Sequence, residues 1–123
     1  MYGKKARDHY LGKGGKGRLN CAQAVVAAFQ ERFGFSDAEV LKYLGHGGGG
    51  APGGVCGAYA AAKDLLAKHY PDKVKEFEQF FLGQAGSLSC AEIRGKRELS
   101  CLGCVEKAAE FVAQLASTGF SVL

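Results

Sequence analysis

Apolar residues along this chain recur at three- and four-residue spacing, the period of helices with one buried face. Val25, Val26, Phe29 and Phe33 predict a helix that opens at Cys21 and ends at Gly34. Val40, Leu41 and Leu44 predict a shorter one from Asp37 to about Leu44, with all three facing in. Tyr59, Leu65 and Leu66 are the larger contacts of an alanine-rich helix from Val55 to Tyr70. Pro71 and Asp72 start the next, which runs through Leu82 with a stripe of Val74, Phe77, Phe80 and Phe81. Val105, Ala108, Ala109, Val112 and Leu115 line one side of a final helix opened by Ser100. No segment alternates with period two between turn signals, so no sheet is expected. The aromatic stripes are accounted for by core packing.

Polar residues punctuate these stripes. Asn20 and Gln23, Ser36 and Glu39, and Ser89 and Glu92 each have the spacing of a capping box. Residues 3–11 form a short first helix that the glycine-rich stretch Gly12–Gly17 ends, and Gly95 stops the segment begun at Ser89. Gly45–Gly54 holds seven glycines and a proline in ten residues, which excludes helix and packed strand. The expected fold is all-α: a compact single-domain bundle of about five to six helices with a glycine-rich loop. Residues 1–20 form a basic N-terminal helix and glycine-lysine loop, and residues 21–123 a helical cysteine-cluster domain.

A chain of 123 residues that is 47% hydrophobic can build one core without disulfide staples. No apolar run approaches the roughly 18 residues that span a bilayer, and no apolar signal core follows the basic N-terminus. A cytoplasmic location is expected. Lys4, Lys5, Arg7, Lys13, Lys16 and Arg18 face only Asp8 in the first 20 residues, so the net charge of +4 is an N-terminal feature. Only Tyr2 and Tyr10 interleave these charges, which predicts a solvated, mobile arm and no nucleic-acid partner.

Five cysteines change the picture. Cytosolic thiols stay reduced, and an odd number cannot pair completely, so metal binding or catalysis is read before structural disulfides. Asn20 precedes Cys21, Ser89 precedes Cys90, Ser100 precedes Cys101, and Gly54 precedes Cys56 across Val55. A thiol in the first turn of a helix faces unsatisfied N–H groups and the positive dipole end, which favours thiolate. The plain alternative is cysteine as a small buried hydrophobe.

Cys101-Leu102-Gly103-Cys104 is a C-x-x-C whose sulfurs share a helix face, as metal ligands or redox thiols. Val105 follows in place of His, so haem attachment is excluded. A zinc site wants a second pair, and Cys21, Cys56 and Cys90 are single, which ranks zinc below an iron–sulfur cluster held by scattered thiolates. The Gly45–Gly54 loop lacks the Gly-Lys-Ser/Thr ending of a P-loop, and Gly12–Gly17 matches G-x-G-x-x-G with no strand before it. Glycine at Gly45–Gly54 lets backbone approach sulfur or a cluster closely, or makes a flexible surface connection. His46 is a loop histidine open to ligand or acid–base use, and His9 and His69 read as surface groups. The carboxylates are scattered and no hydrolase constellation is present.

Asn20-Cys21-Ala22-Gln23-Ala24-Val25, the glycine loop, Cys56-Gly57-Ala58, Cys90-Ala91-Glu92-Ile93, and Cys101 before Val105 together resemble the C_GCAxxG_C_C family of small redox-active proteins. The resemblance runs from about Ala6 to Leu115. It implies a helical domain with Cys21, Cys56, Cys90 and Cys101 as the family cysteines and Gly57 in the central motif. Ala61 stands where the family has glycine, which removes the close helix approach that glycine allows. Cys104 is extra to the pattern. A similar domain occurs in the split-Soret type of cytochrome beside an iron–sulfur centre.

The function expected is a redox role in which Cys21, Cys56, Cys90 and Cys101, with Gly57, bind a metal centre. That centre is read as a small iron–sulfur cluster for electron transfer or redox sensing. The alternatives are a metal-free thiol–disulfide protein using Cys101, Cys104 and a helix-start cysteine, and an accessory module for a membrane transporter or electron-transfer partner. A homodimer is among the expected states.

Overall fold

The computed structural model describes residues 2–15, 17–47, 50–96 and 99–122. Among them are eight α-helices and no strand, so the all-α class is observed and the helix count exceeds the five to six expected. The helices are α1 (Tyr2–Leu11), α2 (Cys21–Ala28), α3 (Gln30–Phe33), α4 (Asp37–Leu41), α5 (Gly57–His69), α6 (Val74–Ala85), α7 (Cys90–Lys96) and α8 (Cys101–Val122). Part of the excess arises at Phe29. Its φ of −108° and ψ of 10° break the predicted Cys21–Phe33 helix into α2 and α3, and Gly34 ends α3 in the left-handed region at φ 72°.

Helix α2 is the axis of the bundle. Ala22 to Ala28 are all buried, Gln23 among them, and α1, α4, α5 and α8 pack around it. A helix apolar on every side is stable only when surrounded. Helix α1 completes that surround: Ala6 is fully buried, and Tyr2 stacks on Phe29 with centroids 4.6 Å apart. The expectation of a solvated arm is therefore corrected for α1, because one face of this basic helix carries Gly3, Ala6 and His9 inward. His9, expected at the surface, is buried. Lys16, Gly48 and Gly49 of the two glycine stretches lie outside the described residues.

On the other side, α5, α6 and α8 share an aromatic core in which Phe77 meets Tyr59, Phe81 and Phe111 at centroid distances of 5.5, 5.9 and 5.1 Å. Ala61 is fully buried in the same core. One stripe is misread by periodicity alone. Val40 is buried, but Leu41 and Leu44 are 62% and 63% exposed, because α4 ends at Leu41 and a 3-10 turn over Leu44–His46 turns the chain out of helical phase. A second 3-10 turn covers Pro52–Gly54, so the loop expected to lack helix contains two short turns. Gly95 lies inside α7 and does not stop it. No helix among the described residues is long and apolar enough to cross a membrane.

Candidate functional site: a pocket lined by four thiols

Three helix starts are built by the caps read in the sequence. At α2, Gln23 N–H donates to Asn20 Oδ1 at 2.8 Å and Asn20 N–H donates to Gln23 Oε1 at 3.2 Å, a complete capping box. At α7, Glu92 N–H donates to Ser89 Oγ at 3.4 Å; at α8, Gly103 N–H donates to Ser100 Oγ at 2.9 Å. Cys21, Cys90 and Cys101 are therefore first residues of their helices. Cys56 differs, because α5 starts at Gly57 and not Val55, which leaves Cys56 itself at the N-cap position.

Backbone contacts draw these starts together. The Asn20 side-chain Nδ2 donates to the backbone carbonyls of Tyr43 and Leu44 at 3.1 and 2.8 Å, tying α2 to the turn before the glycine loop. Val55 and Ser89 form an antiparallel bridge, and Cys56 N–H donates to Leu88 O at 2.7 Å, tying α5 to α7. The result is one pocket of about 320 Å³ lined by Cys21, Cys56, Cys90 and Cys101, with Gly57 and Gly47. Tyr10, Arg18 and Arg94 also line it.

Glycine is required at two of these positions. A methyl group on Gly57 would lie 2.6 Å from both Cys21 Sγ and the His46 carbonyl oxygen, and one on Gly47 would lie 2.9 Å from Asn20 Cβ. The close approach to sulfur is thus made by Gly57, just past the loop, whereas at Gly47 the close neighbour is the Asn20 side chain. His46 contributes its carbonyl to this packing, while its ring stands edge-on to Tyr43.

The fifth thiol lies behind the pocket. Cys104 is 2% exposed, and its S–H donates to Cys56. Its partner in the fold is thus Cys56, on another helix, although the C-x-x-C spacing paired it with Cys101. That hydrogen bond is the largest influence holding the Cys56 thiol down to about 7, against the opposing push of burial, with the Tyr59 and Ala58 amides and Arg94 assisting. The same contact, with burial, drives Cys104 far up, so Cys56 is the thiolate of the pair. Burial also raises Cys21 and Cys90. The expectation that helix starts favour thiolate is therefore corrected for these two: desolvation outweighs the amides and dipole that the sequence places beside them.

Cys101 is held differently, by hydrogen bonds with Arg94 and with the Tyr10 hydroxyl. Tyr10, Arg18 and Arg94 were not among the residues the sequence singled out. Arg94 had a signal, since it lies four residues after Cys90 and so on the same helix face. Tyr10 and Arg18 had none, because only the packing of α1 brings the N-terminal segment to the pocket. No three His, Cys, Asp or Glu side chains among the described residues converge on a point that could hold a single metal ion.

The fold and pocket define a small all-α protein with helix-start thiols gathered around one cavity. Residues 19–115 match the family described as "Putative redox-active protein (C_GCAxxG_C_C)", and the chain belongs to that family. No curated protein and no solved structure matches the chain.

Proposed function

We propose that this redox-active protein works in the reducing cytoplasm and holds a small iron–sulfur cluster on Cys21, Cys56, Cys90 and Cys101. The observation that supports this reading is the shared pocket: four thiols from four helix starts line one cavity of about 320 Å³. Four thiolates are the usual donor set for such a cluster. Their spread favours a cluster over zinc. Sulfurs on one tetrahedral ion, with bonds of about 2.3 Å, sit about 3.8 Å apart, and no such convergence exists among the described residues. A cluster carries its own inorganic core and takes ligands from around a wider space.

The bound cluster would supply one-electron transfer to a redox partner. The chain's own residues set its surroundings. Gly57 leaves room beside Cys21. Arg94 and Tyr10 hydrogen-bond the Cys101 sulfur, and such bonds to a ligand sulfur tune the potential. Anaerobic purification followed by reconstitution with iron and sulfide tests the reading. A coloured protein with iron and acid-labile sulfide is expected, and Cys21→Ala or Cys90→Ala should lower both contents by at least half. A colourless chain with all five thiols still titratable sinks the proposal.

A second reading, thiol–disulfide chemistry without metal, is favoured by one contact. Cys104 hydrogen-bonds Cys56, the pocket thiol that this contact holds down to about 7.

A further inference from the structure

Cys104 is the one cysteine that the family pattern does not include and the one that does not line the pocket. A buried cysteine is often just a small apolar group. Here its thiol instead makes a directed contact with the Cys56 sulfur, and Cys56 has access to the cavity. The cavity also has a charge preference: Arg18 and Arg94 line it together with Asn20 and Tyr10, and no carboxylate among the described residues does. Arg94 is exposed, so its charge is felt at the mouth.

From these positions we infer that Cys56 and Cys104 form a redox dithiol that reduces an anionic low-molecular-weight disulfide entering the pocket, with Cys56 attacking and Cys104 resolving. The inference rests on the thiol–disulfide reading and needs no metal. In the first step the Cys56 thiolate attacks one sulfur of the disulfide. The substrate S–S bond breaks, a Cys56–substrate mixed disulfide forms, and one substrate thiolate leaves and takes a proton from water. In the second step Cys104 gives up its thiol proton to water and attacks Cys56 Sγ. The Cys56–Cys104 disulfide forms and the second substrate thiolate leaves to be protonated. The protein loses two electrons and the Cys104 proton, and the substrate disulfide takes up the two electrons and two protons, the second supplied by water, to become two thiols. Cys101 is excluded from the resolving role by placement, because its sulfur is engaged by Arg94 and Tyr10 while Cys104 already touches Cys56.

The test uses the full chain, reduced anaerobically, with its iron and sulfide contents measured in the same samples. Glutathione disulfide is the anionic probe and cystamine the cationic one. Peptide mapping by mass spectrometry should find Cys56 joined to Cys104, with fragmentation separating Cys104 from Cys101. In Cys104→Ala the expected product is a stable glutathione adduct on Cys56. Glutathione disulfide should react about tenfold faster than cystamine at low salt, with the gap closing as salt screens Arg18 and Arg94. A disulfide that maps to another pair overturns the inference while leaving thiol–disulfide chemistry standing. If the probes oxidise no thiol, both fall. Equal rates for the two probes at low salt overturn the substrate class.

Discussion

Gly57 faces the Cys21 sulfur so closely that a methyl group in place of its hydrogen would lie 2.6 Å from Sγ. The same methyl would meet the His46 carbonyl at 2.6 Å, so backbone blocks its escape on that side. Gly57→Ala must therefore push apart the starts of α2 and α5. Overpacking of this kind costs about 1–3 kcal/mol. The urea midpoint should fall accordingly, and Cys21 should become more accessible to alkylation. An unchanged midpoint with unchanged Cys21 reactivity would show that the two helix starts do not meet as described.

Asn20 performs two separable tasks at the edge of the pocket. Its oxygen caps α2, and its amide nitrogen holds the Tyr43 and Leu44 carbonyls. Asn20→Ala removes both and should destabilise the chain by about 1–2 kcal/mol. Asn20→Asp keeps the cap and loses the two donors, so its denaturation midpoint should lie between those of the alanine variant and the parent chain. An aspartate variant as unstable as the alanine one would assign the whole effect to the loop contacts.

The helix starts were legible because capping is local: Asn20, Ser89 and Ser100 each act on the residue three places away. The core stripes of α5, α6 and α8 were legible because each runs for three or more turns. Short elements were not. Leu41 and Leu44 look like a buried stripe, yet a 3-10 turn alters the phase and leaves them in solvent. Neither was the Cys56–Cys104 contact, which joins residues 48 positions apart through the packing of α5 on α8. Arg18 in the pocket lining was hidden for the same reason, since it reaches the pocket only because α1 folds into the bundle.

The Cys56 thiol should show its low ionisation directly. Its rate of reaction with iodoacetamide should follow a titration with a midpoint of about 7. Cys21 and Cys90, raised by burial, should react only at higher pH. In Cys104→Ala the first cause of the lowering is gone while burial still opposes the charge. The Cys56 midpoint should then move up from about 7 toward the ordinary thiol value of about 8.5. Residue-resolved mass spectrometry across pH 6 to 10 measures each rate. A midpoint that stays near 7 in the variant would transfer the effect to the α5 amides and Arg94.

The stack of His69 on Phe33, with ring centroids 4.2 Å apart and planes within 12°, links stability to pH. Burial under Phe33 lowers the imidazole from its usual value, and Lys68 and Arg32 push the same way. The folded chain then binds the His69 proton less readily than the unfolded chain. The stability this contributes is complete above the unfolded value of about 6.5 and is lost as pH falls through it toward the lower folded value. The ring is largely exposed, so screening keeps the effect small, on the order of 1–2 °C in Tm. His69→Phe keeps an aromatic partner for Phe33 and carries no proton. Its Tm should therefore decline less than the parent's between pH 7.5 and 5.5. Parallel declines in the two chains would place the linkage on another group, with buried His9 the first to test.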